Sequence, residues 1–229
     1  MEKISISNIV EFKRKKTPTS QATFINNLRK PKPPKQEEED RGGNYWVSSL
    51  STLANSYLEE TNVFILEKIS ALIDKLETTT RKQTKDMYQK NIDILHRFED
   101  YDFLQLRPTT VLNYFKKPSE KSILYVEDLP IQALPHHVIL FEEDEVRKVG
   151  GCWFVAKKNG YTPEELSMFT DALHRYLTKN YADEYEVCPK FCVVTDVMNL
   201  NSLRYADLLS SKRPTSLAST LAMMKTFIK

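Results

Sequence analysis

The sequence predicts an α+β protein in which helices pack on a mixed β-sheet, preceded by a helical region and a small N-terminal helical arm. Three observations predict this class. Between residues 129 and 196 the hydrophobic period changes from that of strands to that of a helix and back. Thr162, Pro163 and Glu165 match a capping box with proline at the first helical position, which marks the start of that helix. Between residues 45 and 98, apolar residues recur at helical spacing in three stripes.

Two apolar runs form the predicted strand pair. Val138–Phe141 and Val149–Ala156 are rich in β-branched and aromatic residues, and the acidic residues at 142–145 predict the reversal between them. Gly150 and Gly151, near the start of the second run, indicate a bulge or a close approach of another backbone segment.

A helix and a returning strand complete this unit. We expect a helix over 163–180 with Phe169 and Leu173 buried on the side that faces the sheet. The apolar run 191–197 follows as a strand, and a strand–helix–strand connection of this length predicts a right-handed crossover with two parallel strands. We expect the same mixed sheet to include a strand at 123–126.

Composition divides the chain into four parts. Residues 1–30 predict a small basic helical arm, 44–120 a helical region, and 121–229 an α/β core with a C-terminal helix. Residues 31–43 combine proline, charge and glycine without apolar residues, which predicts a flexible linker. In the arm, the basic run 13–16 either contacts phosphates or forms the solvated positive face of a helical hairpin.

Proline marks two further expected helix starts. Pro108 followed by two threonines predicts a short helix that ends near Phe115. Pro214 predicts the beginning of the last helix of the chain.

Composition also narrows the classes of function. The 229 residues carry a net charge of +2, which gives no global argument for nucleic-acid binding. The absence of a long apolar run and of a signal-peptide core predicts a cytoplasmic protein without a membrane partner. Cys152, Cys188 and Cys192 are an odd number, which favours free buried thiols in a reducing compartment.

The common enzyme motifs are absent. The sequence has five glycines and contains neither GxxxxGK[ST] nor GxGxxG, so a phosphate-cradling nucleotide site is not expected. It also lacks the GxSxG motif of serine hydrolases and the HExxH motif of zinc proteases. We expect no cofactor, with Mg²⁺ needed only if the core is an active nuclease.

The order strand, turn, strand, helix, strand over about residues 123–198 resembles the core of the PD-(D/E)XK, or restriction-endonuclease-like, nucleases. In that family two acidic residues hold Mg²⁺ and a lysine orients the attacking water. Pro135-His136 stands where the family has Pro-Asp, and a lysine pair stands at the end of the strand where the family has its lysine. The candidate catalytic residues that the resemblance implies are His136, Lys157, Lys158 and Glu165.

This sequence departs from the family pattern at its acids. His136 replaces the first carboxylate, and Val155 and Ala156 stand two positions before the lysines, where an acid is expected. Glu164 or Glu165, at the start of the following helix, could supply a migrated acid, but both are equally well explained as acids of the first helical turn, and Glu165 also fits the capping box. We therefore interpret the segment as a degenerate nuclease-like core. Strand alternation further predicts that only one of the two lysines lines the site.

Two other groups of residues remain open in function. His136 and His137 either bind a transition metal or act as a base, or they only begin a strand. The predicted helix near residue 85 carries a basic face with an aromatic neighbour, which either binds nucleic acid or is solvated. The candidate nucleic-acid-binding residues on it are Arg81, Lys82, Lys85 and Lys90.

Two functions from different classes follow. The first is a nucleic-acid-associated protein, with DNA or RNA as the partner, built on the degenerate nuclease-like core. The second is a non-catalytic protein-interaction or scaffold module, from a mobile-element or defence setting, whose partner is another protein. Steep salt dependence of binding is the property that separates them, because it is the signature of phosphate contacts.

Overall fold

The computed structural model describes residues 3–30, 45–109, 111–115, 122–211 and 215–228. Within these ranges the chain forms eight α-helices, one 3₁₀ helix and eight β-strands in two sheets, which confirms the α+β class. The predicted linker at 31–43 lies outside the described residues. None of the helices in these ranges combines the length and the apolarity that crossing a membrane would need.

The N-terminal segment forms a short strand and two helices. Strand β1 is Ile4–Ser5, helix α1 is Ile6–Lys13 and helix α2 is Pro18–Arg29. The α1 helix packs against three later helices, and its four buried residues belong to the same hydrophobic cluster as one face of the larger sheet. These four residues are Ile6, Ile9, Val10 and Phe12.

The helical region contains three α-helices and a single 3₁₀ turn. Helix α3 spans Val47–Glu59, α4 spans Val63–Thr78 and α5 spans Lys82–His96, and a 3₁₀ helix follows at Phe103–Leu106. The three helices pack on one another, because each carries an apolar stripe that needs a partner.

The predicted helix at 108–115 is wrong. Val111–Phe115 is instead strand β2, which pairs antiparallel with a strand of the core. Pairing with an open strand edge overrides the local helix signal of Pro108, since strand preference depends strongly on tertiary context. The last helix also begins later than Pro214 predicts, with Ser216 as its N-cap and Leu217 as its first residue.

Four strands precede the long central helix. Strand β3 spans Ile123–Val126, β4 Leu129–Gln132, β5 His137–Glu143 and β6 Val146–Val155. Each hairpin turns through two acidic residues with positive φ. These are Glu127 and Asp128 between β3 and β4, and Asp144 and Glu145 between β5 and β6. This geometry matches the right-handed twist of hairpin strands.

The remaining elements complete the larger sheet and cover it. Helix α6 spans Pro163–Tyr181, strand β7 Glu186–Asp196, strand β8 Asn201–Arg204, helix α7 Tyr205–Ser211 and helix α8 Leu217–Thr226. The five-stranded sheet has the order β2-β5-β6-β7-β8, in which only β6 and β7 are parallel. The predicted mixed sheet and the parallel pair around α6 are therefore present.

Strand β3 does not belong to this sheet, contrary to our expectation for residues 123–126. It pairs antiparallel with β4, and β4 pairs parallel with β1, in a separate three-stranded sheet. The third strand of this smaller sheet is the N-terminal strand at Ile4–Ser5. The sequence does not predict it, because two residues are too few to show a hydrophobic period.

The larger sheet lies between two helical layers. Helix α6 packs on one face, where Phe169 and Leu173 are buried as predicted. Helices α3, α4 and α5 bury the other face, including Ile139 and Phe154. Gly150 lies at a register shift between β6 and β7, and a Cβ there would stand 2.8 Å from the Phe191 carbonyl oxygen, which explains the glycine.

Candidate functional site

The carboxyl ends of the parallel strands β6 and β7 lie side by side, and α6 begins at the same end of the sheet. In open sheets with parallel strands, ligands usually bind beyond the carboxyl ends of the strands. After β6, the chain turns through Asn159 and Gly160, both with a φ of 69°, before it enters α6. A Cβ at Gly160 would collide with the side chains of Asn199 and Asp196, so the turn packs directly on the end of β7.

A shallow cleft of about 340 Å³ opens at this end of the sheet, and we name it the β6 cleft. Its lining comes from α1, from the two residues before α3, from α5 and from the segment between β6 and α6. The charged residues that line it are Glu11, Lys90, Lys157 and Lys158, and the aromatic residues are Tyr45, Trp46 and Tyr161. Ser7 and Ala156 complete the lining.

Lys157 and Lys158 both line the β6 cleft, contrary to the expectation that only one would do so. Strand β6 ends at Val155, so the alternation of faces no longer applies two residues later. Lys157 forms an ion pair with Glu11 of α1 and lies 5.9 Å above the Tyr161 ring, whereas Lys158 is exposed. The first lysine is therefore held by the protein, and the second extends toward solvent.

Tyr45, Trp46 and Lys90 reach the cleft from the helical region. The Tyr45 and Trp46 rings meet edge to face at 4.6 Å, and the Lys90 ammonium lies 5.4 Å from the Tyr45 ring centroid. Asn91, which is 1% exposed, fixes this arrangement because its side-chain nitrogen donates to the Tyr45 carbonyl at 2.9 Å and its oxygen accepts from the Ser49 N–H at 2.9 Å.

Glu165 lies at the N-terminus of α6 and is fully engaged in structural bonds. Its two oxygens accept hydrogen bonds of 2.5 Å from the Arg14 guanidinium, and one also accepts from the Thr162 N–H at 2.9 Å. Burial raises the pKa of this carboxyl, but the bonds from Arg14 and Thr162 outweigh burial and lower the pKa. The capping-box prediction is thus confirmed, and both oxygens are occupied.

Asp196 at the end of β7 is a buried carboxylate that sequence reasoning missed. One oxygen accepts from the Tyr161 N–H at 2.8 Å and from the Asn199 amide at 3.0 Å, and the other accepts from the Met198 N–H at 3.1 Å. Burial raises its pKa despite these bonds. An aspartate at the end of an apolar strand, after two β-branched valines and a threonine, was the available signal.

His136 and His137 take structural roles. The Nδ1 atom of His136 accepts a hydrogen bond of 3.2 Å from the Phe154 N–H, and the ring lines a second cleft that adjoins the first. The Nε2 atom of His137 donates to the Ala54 carbonyl at 2.8 Å, and the ring stacks on Tyr57. Both bonds tie β5 to its surroundings, which agrees with the interpretation that the pair begins a strand.

These residues do not fit the Mg²⁺ that the nuclease resemblance implies. Mg²⁺ prefers oxygen ligands in near-ideal octahedral geometry. Glu165 already accepts three hydrogen bonds from Arg14 and Thr162, Asp196 accepts three from protein donors, and the His136 Nδ1 atom is a nitrogen that already accepts from the Phe154 N–H. Among the described residues, no group of three or more His, Cys, Asp or Glu is arranged to hold a metal ion.

The other basic residues lie outside the β6 cleft. Arg81, Lys82 and Lys85 are exposed at the start of α5, and Lys82 is eight residues from Lys90, about 12 Å along the helix. In the N-terminal run, Lys13 pairs with Glu164 of α6, next to the Arg14–Glu165 pair. Half of that run therefore fastens α1 to α6.

Comparison of this chain with protein-family models, with curated proteins and with solved structures finds no match.

Proposed function

We propose that this chain binds nucleic acid in the β6 cleft and does not hydrolyse it. The observation that carries the proposal is the convergence of three lysines from two separate parts of the chain beside three aromatic residues, Tyr45, Trp46 and Tyr161. Lys157 and Lys158 come from the end of β6, and Lys90 comes from α5. Aromatic rings among cations are the combination that nucleic-acid grooves use.

The charge of the cleft suits a polyanion. Among the described residues that line the cleft, three lysines face one carboxylate, Glu11, so this lining is positive although the whole chain has a net charge of only +2. Such local charge attracts phosphates and releases their counterions. A positive patch on a near-neutral protein favours binding at one place over non-specific coating.

We infer that the cleft does not hydrolyse nucleic acid, because the two nearby acids already accept hydrogen bonds from the protein. The nuclease-like reaction needs carboxylate oxygens that can bind a metal ion. Glu165 bonds Arg14 and the Thr162 N–H, and Asp196 bonds three donors, so each would have to give up protein contacts first. We therefore interpret the core as nuclease-like in its order of elements and as a binding module in its chemistry.

A salt series tests the binding. Anisotropy of labelled DNA and RNA oligonucleotides of about 12 nucleotides is measured between about 50 and 200 mM salt. Contacts of three lysines to phosphates predict a slope of log K against log salt of about −2. A flat salt response, or no binding at low salt, would overturn the proposal.

Lysine variants locate the site. Lys158→Ala and Lys90→Ala are each expected to reduce the salt slope by about 0.7. The double change Lys157→Ala, Lys158→Ala should weaken binding more than Glu165→Gln does. Lys190→Ala is the matched control, because Lys190 also lies over an aromatic ring, Phe191 at 5.1 Å, but does not line the β6 cleft.

A cleavage assay tests the chemistry. Linear and circular DNA and single-stranded RNA are incubated with the protein in Mg²⁺ or Mn²⁺, against EDTA. We expect the substrates to remain intact under all three conditions. Metal-dependent cleavage that Glu165→Gln abolishes would establish Glu165 as a migrated acid and overturn the non-hydrolysing part of the proposal.

The second candidate function is a protein-interaction module. One side of α4 carries exposed apolar side chains at helical spacing, and Val63, Leu66 and Ile73 are 54%, 55% and 38% exposed. Exposed apolar residues grouped on one side are typical of a protein contact. Absence of both nucleic-acid binding and cleavage, with self-association or partner capture lost in Leu66→Asp, would favour this function over the first.

A further inference from the structure

The β6 cleft contains a prebuilt aromatic platform. Tyr45 and Trp46 directly precede α3, and their rings are half-buried and meet edge to face at 4.6 Å. Their backbone is tied down, because Asn91 holds the Tyr45 carbonyl while the Trp46 carbonyl accepts from the Ser49 hydroxyl at 3.1 Å. Because the backbone that carries the two rings is already held, it loses little freedom on binding, which favours the rings as a surface for stacking.

Cations surround this platform on two sides. Lys90 lies against the Tyr45 ring, and Lys157 and Lys158 line the same cleft from the end of β6. The cleft therefore presents an aromatic ring on which a base can stack. It also presents ammonium groups that can contact the phosphates on either side of that base. The two requirements of a single-stranded nucleic acid are therefore met in one place.

We propose that the β6 cleft binds a single-stranded segment of nucleic acid, with one unpaired base stacked on Trp46; this rests on the proposed function. A duplex keeps its bases stacked on each other, so they do not reach an aromatic side chain unless a nucleotide is flipped out. The cleft, of about 340 Å³, is far smaller than a duplex and is suited to a base and its sugar.

Glu11 limits the affinity of the cleft. Its carboxylate forms an ion pair with Lys157, so a phosphate must compete with it for that ammonium group. Glu11 is partly exposed, and its side chain can leave the lysine without unfolding α1. Replacement of Glu11 by glutamine should therefore strengthen binding of a single strand several-fold, a gain that a damaged fold would not produce.

Tryptophan fluorescence tests the stacking. The sequence has two tryptophans, and Trp153 packs edge to face on Phe169 at 5.4 Å. The full chain is titrated with single-stranded and duplex forms of the same sequence, in DNA and RNA versions that separate the two sources of the strand. We expect quenching by the single strand, its persistence in Trp153→Phe, and its loss in Trp46→Phe.

Affinities complete the test. We expect Trp46→Ala to weaken single-strand binding about tenfold, and Glu11→Gln to strengthen it. Near-UV circular dichroism checks that each variant is folded. Equal affinity for single strand and duplex, or quenching that survives Trp46→Phe, would overturn this inference and leave the proposed function standing. Failure of every oligonucleotide to bind at low salt would overturn both.

Discussion

The Arg14 guanidinium donates two hydrogen bonds of 2.5 Å to the two carboxylate oxygens of Glu165, across 151 residues of sequence. Arg14 also donates to the Gly160 carbonyl at 3.2 Å. The pair joins the end of α1 to the beginning of α6 and to the turn before it. Because Glu165 is 6% exposed, its charge depends on this partner.

Glu165→Gln should lower the free energy of unfolding at neutral pH by about 1–2 kcal/mol. This value is small for a buried carboxylate, because the Arg14 side chain is about a third exposed and water screens the ion pair. The folded-state pKa of Glu165 lies below its ordinary value of 4.5. Its stabilisation is therefore present above that value and is lost as pH falls through the folded pKa. Urea unfolding at several pH values should show the difference between wild type and variant shrinking in acid.

Glu164→Gln is the matched control for this change. Glu164 is the preceding residue, pairs with Lys13 and has a side chain that is 63% exposed, so its loss should change stability by less than about 0.5 kcal/mol. Asp196 is present in all three proteins, but the Glu165 charge helps to raise its pKa, so Glu165→Gln changes the contribution of Asp196 as well. A stability difference for Glu165→Gln that stays constant down to acid pH would contradict the assigned shift.

Phe169→Ala should cost about 3–5 kcal/mol, because it removes a buried ring and leaves a cavity. The Phe169 ring is 2% exposed and meets the Trp153 and Tyr161 rings edge to face at 5.4 and 5.0 Å. Chemical denaturation measures the loss. Leu66→Ala is the control, because Leu66 on α4 is 55% exposed, and it should change stability by less than about 0.5 kcal/mol. If Phe169→Ala were as stable as the wild type, the placement of α6 on the sheet would be wrong.

Asn91→Ala should cost about 1–3 kcal/mol, because it leaves the buried Ser49 N–H without its acceptor. The same change releases the backbone of Tyr45, so the affinity for a single strand should fall as well. Gln89→Ala is the control on the same helix, since the exposed Gln89 bonds only Asp93 among the described contacts. If both variants melt alike, Asn91 does not hold the helices together.

Gly150→Ala should be more damaging than Gly151→Ala. A Cβ at Gly150 would lie 2.8 Å from the Phe191 carbonyl oxygen, which belongs to the backbone and cannot move aside. At Gly151 the nearest atom is the terminal Cδ1 of Leu173 at 3.0 Å, which can rotate. Overpacking of the first kind costs about 1–3 kcal/mol, and thermal melting of the two variants compares them. The reverse order would place the close contact elsewhere.

The sequence predicts best where local chemistry alone determines the structure. Thr162 and Glu165 mark the start of α6 because a capping box uses only neighbouring atoms, and both of its hydrogen bonds are present. The strand pair and the crossover to β7 follow from hydrophobic period for the same reason. Buried Phe169 was predictable from its place in a helical stripe.

The sequence does not predict an element whose structure depends on pairing with a distant segment. Val111–Phe115 is a strand because it pairs with the edge of β5. Strand β3 lies outside the main sheet because it pairs with β4, which pairs with β1. The site follows the same rule. Lysines 157 and 158 were predicted as candidates, but no local pattern places Lys90, Tyr45 and Trp46 beside them, since that proximity depends on how the helices pack on the sheet.

The sheet is shared between the helical region and the core. Strand β2 from the first half of the chain is an edge of the main sheet, and α3–α5 cover Ile139, Phe154 and Val193 on its face. A chain truncated to begin at residue 121 would lose that edge strand and that cover together. It would expose an apolar sheet face and an open β5 edge, the features that drive proteins into inclusion bodies. We therefore expect the segment from residue 121 onward to aggregate when it is expressed without the preceding helices and β2.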